Sequence, residues 1–105
     1  MSEVLTRLQA VIDARKAGGD PGASHTAAML ARGPLKCAQK FGEEAVEAAL
    51  AAAAESDAAL IGECADAIYH MAVMLAARDL SLAEVLAELE RREGTSGLAE
   101  KAARS

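Results

Sequence analysis

The residues with the clearest chemical potential are two pairs of carboxylates, each spaced three apart: Glu44 and Glu47 within Glu43-Glu44-Ala45-Val46-Glu47, and Glu63 and Asp66 within Glu63-Cys64-Ala65-Asp66. On an α-helix, residues three apart lie roughly 60° apart around the axis and about 4.5 Å along it, so each pair shares a face. The segment holding the second pair narrows the chemistry. From Ala58 to Ala77 the only formal charges are Glu63 and Asp66, and Leu60, Ile61, Cys64, Ile68, Met71, Ala72 and Leu75 make most of its circumference apolar, as expected of a helix enclosed in a bundle. Carboxylates on an enclosed helix must be paired, protonated or metal-bound, because burying a bare charge is very costly. Four converging acids with few basic partners favour metal. All-oxygen ligation suits a hard cation, and Mg2+ in particular binds through a few carboxylates, retained waters and phosphate oxygens. Glu44, Glu47, Glu63 and Asp66 are therefore the expected ligands of a site for phosphoanhydrides.

Blander readings compete with each part of this. Taken alone, Glu44 and Glu47 could form a solvated helix face with Lys40 paired to Glu44 one turn on. The second pair, inside an apolar helix with His70 one turn after Asp66, is harder to explain that way. A di-iron or di-manganese bundle would use Glu-x-x-His, and no Glu-x-x-His occurs in the sequence. Lys40 is the best-placed cation for phosphate oxygens. Glu43 points about 100° from Glu44 on its helix, a candidate general base or supporting group beside Glu44 and Glu47. His70 could orient Asp66 or touch phosphate. Arg92, Ser96 and Lys101 belong to a basic, Gly/Ser-rich C-terminal stretch able to bind anions, or else to a solvated tail.

The elements that must position these groups are all helical, with no stretch that alternates like a strand. The first helix runs from about Glu3 to Ala17, with Val4, Leu5, Leu8, Val11 and Ile12 as its apolar stripe. It stops at Gly18-Gly19-Asp20-Pro21-Gly22, which lacks the Gly-Lys-Ser/Thr ending of a P-loop and reads as a connector. Ser24 or Thr26 caps a short helix to about Arg32. Pro34 suits the first position of a long helix to about Ala54, Ser56-Asp57 opens another to about Arg78, and Ser81 with Glu84 forms a capping box for one ending near Gly94. The tail, Thr95 to Ser105, holds a Ser-Gly turn and room for one last helical turn.

Length and composition agree with an all-α domain spanning residues 1–105, about five helices in a small bundle. Its 52% apolar content comes with one Phe, one Tyr and no Trp. An Ala-rich interior needs closely packed backbones, which helices allow, and the shortage of large side chains favours a homodimer that completes the core. The net charge of −5 argues against nucleic-acid binding, which relies on many Lys and Arg. Ala58–Ala77 is long enough to cross a membrane, but two central acids, each costing on the order of 3 kcal/mol there, make a buried helix the better reading. Cys37 and Cys64 read as reduced, partly buried thiols. The N-terminus has no basic segment leading into an apolar run, so no signal peptide is expected.

Specific strings go further: Ser24-His25-Thr26, Lys40-Phe41-Gly42-Glu43-Glu44-Ala45-Val46-Glu47, Glu63-Cys64-Ala65-Asp66 leading into Tyr69-His70, and the C-terminal Arg92, Gly94, Ser96-Gly97-Leu98, Glu100-Lys101-Ala102 and Arg104. Together they resemble the phosphoribosyl-ATP pyrophosphatases of histidine biosynthesis, a branch of the MazG-like all-α NTP pyrophosphatase group. The resemblance implies hydrolysis of phosphoribosyl-ATP to phosphoribosyl-AMP and pyrophosphate by a cytoplasmic helical homodimer, in a stand-alone form without a fused cyclohydrolase. One departure stands out: His25 occupies the position where that family usually has Tyr. Two alternatives share parts of this reading. A house-cleaning (d)NTP pyrophosphatase would keep the metal site without the histidine-pathway strings, and a non-enzymatic dimerisation module would leave the acids salt-bridged or solvated.

Overall fold

The structure, a computed structural model, describes residues 2–94, and within them the chain forms five α-helices and no strand. These are α1 (Glu3–Gly18), α2 (His25–Ala31), α3 (Pro34–Ala54), α4 (Asp57–Ala77) and α5 (Leu82–Arg91). The order and approximate bounds match the sequence pattern. The expected turn and helical turn between Thr95 and Ser105 lie outside the described residues.

Local chemistry sets each boundary. Ser2, Ser24 and Ser56 are N-caps whose side chains accept from the backbone amides of Leu5, Ala27 and Ala59, each satisfying one of the free N–H groups of a first turn. Gly19 closes α1, its amide donating to the Arg15 carbonyl at 2.8 Å. A Cβ there would stand 2.6 Å from that carbonyl and 2.9 Å from the Cβ of Ala27, so glycine is what allows α2 to fold back against the end of α1. Gly33 turns the chain from α2 into α3 at φ 91°, a backbone region open to glycine at little cost, and Pro34 starts α3 as its position predicts.

The C-terminal end of α4 is a Schellman motif. The Leu80 amide donates to the Leu75 carbonyl at 2.9 Å and the Asp79 amide to the Ala76 carbonyl at 3.0 Å, with Asp79 in the left-handed region at φ 61°. Lys16 reaches across from α1 to hydrogen-bond both the Ala76 carbonyl and the Asp79 carboxylate, which holds Asp79 below the usual carboxylate range. The capping box then opens α5, Glu84 accepting from the Ser81 amide at 2.7 Å. Buried Gln9 on α1 accepts from the Leu82 amide at 3.0 Å and donates to Asp13 at 2.9 Å, tying the start of α5 to α1.

The core gathers where α1, α2, the starts of α3 and α5 and the end of α4 meet: Ile12, Met29, Cys37, Ala72, Val73, Ala76 and Leu82. Leu5 and Leu8 pack against it, whereas Val4 and Val11 of the expected α1 stripe face outward. The expectation that α4 is enclosed needs correction within one chain. Its buried residues, His70, Ala72, Val73 and Ala76, all lie in its C-terminal half, while Ile61 and Ile68 are 70% and 44% exposed. Among the described residues, close cover of α4 is thus confined to its C-terminal half. Cys64 is accordingly exposed, whereas Cys37 is buried, donating its thiol to the Met29 carbonyl at 3.2 Å, with burial pushing its pKa up.

Candidate active site

Helices α3 and α4 form the most extensive pairing in the fold, and the pairing is an antiparallel hairpin closed by Glu55 and Ser56. Residues at like distances from that turn face each other. Glu44 and Glu47 on α3 therefore stand opposite Glu63 and Asp66 on α4, and half-buried Ala45, Ala48 and Ala67 alongside them keep the bulk between the helices low.

The structure brings three of the four expected ligands to one point. Glu44, Glu63 and Asp66 each offer an oxygen within 4.8 Å of the other two. Glu44 is buried at 7% exposure, Glu63 is half-buried and Asp66 is exposed. Glu47 is exposed at the edge of this cluster, close enough for its charge to act on Glu63.

Their electrostatics are unequal. Lys40 donates to Glu44 at 3.1 Å, and that bond holds the Glu44 carboxyl below its ordinary value while raising the ammonium of Lys40. Glu63 has no such partner. Burial first, then the charge of Glu47, push its pKa up, and its Oε2 is buried with no hydrogen-bond partner among the described residues. A buried unsatisfied oxygen is costly, and among the described residues none of Glu47, Glu63 and Asp66 forms an ion pair. An all-oxygen donor set with a surplus of negative charge and an unsatisfied oxygen fits a hard divalent cation.

His70, 6% exposed, sits behind the cluster in an aromatic group with His25 and Tyr69. Its ring lies edge-on to both, with centroids 5.9 and 4.9 Å away, and His25 stacks on Tyr69 at 6.2 Å. Tyr69 is anchored by a hydrogen bond to Thr26, so the Ser24-His25-Thr26 string serves to pack α2 against α4. Burial lowers the pKa of His70, and the opposing pull comes mainly from Glu44, with Asp66 a smaller influence. Helix spacing singled out Asp66 as its partner; the third dimension makes Glu44 the larger one.

Glu43 is not in the cluster. It accepts from Gln39 at 3.1 Å and lies 3.8 Å from Lys40, facing a separate groove between α2 and α3. Arg92 is engaged by Glu88 at 3.1 Å, in a groove between α4 and α5 lined by Leu75, Leu80 and Leu89. Ser96 and Lys101 lie outside the described residues. Sequence reasoning missed Arg32 and Lys36, which line the same α2–α3 groove as His25, Lys40 and Glu43. Lys36 and Lys40, one helical turn apart, were a usable signal. Arg32 precedes the Gly33-Pro34 corner, and no periodicity carries across such a break.

Comparison with known proteins identifies the family. The profile of the phosphoribosyl-ATP pyrophosphohydrolase family matches residues 5–93. A phosphoribosyl-ATP pyrophosphatase from Cereibacter sphaeroides is 65% identical over 101 residues, covering 96% of this chain and 97% of its own. One from Dinoroseobacter shibae is 64% identical over 101 residues, covering 96% of this chain and 98% of its own. One from Rhodobacter capsulatus is 64% identical over 100 residues, covering 95% of this chain and 96% of its own. With matches that run nearly end to end across the helices carrying the carboxylate cluster, the chain belongs to the phosphoribosyl-ATP pyrophosphohydrolase family.

Proposed function

We propose that this chain hydrolyses phosphoribosyl-ATP to phosphoribosyl-AMP and pyrophosphate, the second step of histidine biosynthesis, in the cytoplasm. Family membership supports the substrate. The observation that carries the chemistry is the meeting of Glu44, Glu63 and Asp66 around a buried oxygen that no protein group satisfies.

Under this reading Glu44, Glu63 and Asp66, with Glu47 at the edge, would hold Mg2+, which when bound would neutralise phosphate charge at the scissile anhydride. Each residue has a distinct task. Lys40, 3.1 Å from Glu44, favours the ionised form of that carboxylate, and its ammonium would add positive charge for phosphate oxygens beside the cluster. Burial and the neighbouring Glu47 carboxylate push the pKa of Glu63 up, so this residue would serve more readily as a cation ligand as pH rises. Glu47, exposed at the edge of the cluster, is better placed to activate the attacking water than Glu43, which accepts from Gln39 and lies beside Lys40 about 100° round α3 from Glu44. His70 lies close enough to Glu44 for the two to interact electrostatically. Exposed Val46, Leu50, Ile61 and Ile68 on the α3–α4 hairpin support a homodimer that covers this face.

The test is pyrophosphate release from phosphoribosyl-ATP, set beside a panel of dNTPs, with and without Mg2+. Magnesium-dependent release from phosphoribosyl-ATP is expected. Preference for ordinary dNTPs would replace the substrate assignment with a house-cleaning one.

A further inference from the structure

Beside the carboxylate cluster, on the opposite side of Lys40, lies a groove of about 270 Å3 between α2 and α3. Its character is the reverse of the cluster's. Arg32, Lys36 and Lys40 all line it, together with His25, in a chain whose net charge is −5. Among the described residues neither Arg32 nor Lys36 forms an ion pair, and Lys36 makes only a 3.4 Å contact to Gln39. The one acid in the wall, Glu43, is already engaged by Gln39 and Lys40. Met29 is the sole aliphatic or thioether side chain in the lining, so the groove offers little apolar wall to grip a nucleobase, which ligand sites usually provide.

From this we infer that the α2–α3 groove is the subsite for the diphosphate leaving group, with Arg32 and Lys36 as its principal cations. Two features favour a diphosphate over a single phosphate. The groove starts at Lys40, which is bonded to Glu44 of the cluster, so a group seated in it is contiguous with the bond being broken. It also gathers three cations, and a diphosphate carries enough negative charge to engage all of them; Arg contributes a planar fork and Lys a point charge. The inference rests on reading the carboxylate cluster as the place where the phosphoanhydride is cleaved.

The experiment titrates inorganic pyrophosphate, in the presence of Mg2+, into the full-length protein by calorimetry, and phosphoribosyl-AMP in parallel. The R32Q/K36Q double variant, checked for unchanged helicity, should bind pyrophosphate about 100-fold more weakly, roughly tenfold per cation on the scale of hydrogen bonds to charged groups. Its affinity for phosphoribosyl-AMP should change by less than about threefold, since that product keeps no part of the leaving group. The charge-retaining R32K/K36R variant should recover most of the pyrophosphate affinity. The inference is overturned if the parent does not bind pyrophosphate, if the double variant binds it within about threefold of the parent, or if phosphoribosyl-AMP is weakened as much, which would assign the groove to the phosphoribosyl 5′-phosphate. Failure of the parent to cleave phosphoribosyl-ATP would count against the proposed substrate alone, because the calorimetry does not depend on turnover.

Discussion

Replacing Glu63 with Gln should reverse sign between chelator and magnesium. The substitution removes one negative charge from a cluster in which Glu44, Glu63 and Asp66 lie within 4.8 Å of one another. Without a cation that charge opposes folding, since burial and the carboxylates of Glu47, Asp66 and Glu44 all favour the protonated form of Glu63. In EDTA, Glu63→Gln is therefore expected to melt at or above the temperature of the parent. Magnesium inverts the order. A ligand at ten times its Kd that binds only the folded state stabilises by about 1.4 kcal/mol, on the order of 6–11 °C for a domain near this size. The parent should gain that shift. The variant should gain almost nothing, because even residues that only orient a metal ligand cost 10–100-fold in affinity, roughly, when replaced. Thermal melts across a MgCl2 series, with pyrophosphate release measured on the same samples, provide the readout. A parent whose melting is indifferent to Mg2+, or a variant with the full magnesium shift, would refute the reasoning.

Three further expectations concern the scaffold. Gln9→Leu strips the acceptor from the buried Leu82 amide, and an orphaned buried donor should cost about 1–3 kcal/mol; a denaturant midpoint unchanged from the parent would show that bond to be incidental. Gly19→Ala forces a Cβ to within 2.6 Å of a backbone carbonyl and should destabilise by about 1–3 kcal/mol, whereas Gly18→Ala, with nothing within 4 Å, should be neutral or stabilising. Equal melting temperatures for the two alanine variants would contradict this. Glu88, hydrogen-bonded by Arg91 and Arg92, is pulled down to about 2 from 4.5. Its folded-state pKa is depressed, so its contribution is present above about pH 4.5 and disappears as pH falls through about 2. Glu88→Gln should thus lie below the parent in stability at neutral pH, and the gap should close in strong acid; a gap independent of pH would exclude the ion pairs as its cause.

What the sequence made legible follows the range of the interactions involved. Helix boundaries at Ser24, Pro34, Ser56 and Ser81 are set by neighbours within a turn, and each formed as its residues indicate. The sharing of a face by Glu44 and Glu47, and by Glu63 and Asp66, is likewise local. That the two faces meet required only a long hairpin with a short turn. Coverage was less accessible: hydropathy shows that α4 is apolar but not how far its neighbours extend, so Ile61 and Cys64 looked enclosed and are exposed. Partners across elements were also hidden. Glu44 as the main influence on His70, Gln9 under α5, and Arg32 beside Lys36 all depend on how α1 and α2 fold back over the hairpin.

The carboxylates occupy the thinly covered half of that hairpin for a reason rooted in their charge. A cluster of acids placed among Ile12, Val73 and Ala76 would lose hydration with nothing to replace it, and the core would unfold or the acids would stay protonated. Near Asp66, which is exposed, water or a cation can still reach the oxygens, while Glu44 and half-buried Glu63 hold the ring of donors in place. Small residues let α3 and α4 approach closely enough for this without bulky packing around the acids. The consequence is the bare apolar surface of Val46, Leu50, Ile61 and Ile68 on the same hairpin. The openness of the site and the exposure of these apolar residues therefore have one cause, the thin cover over this half of the hairpin, which keeps the acids out of a dry core.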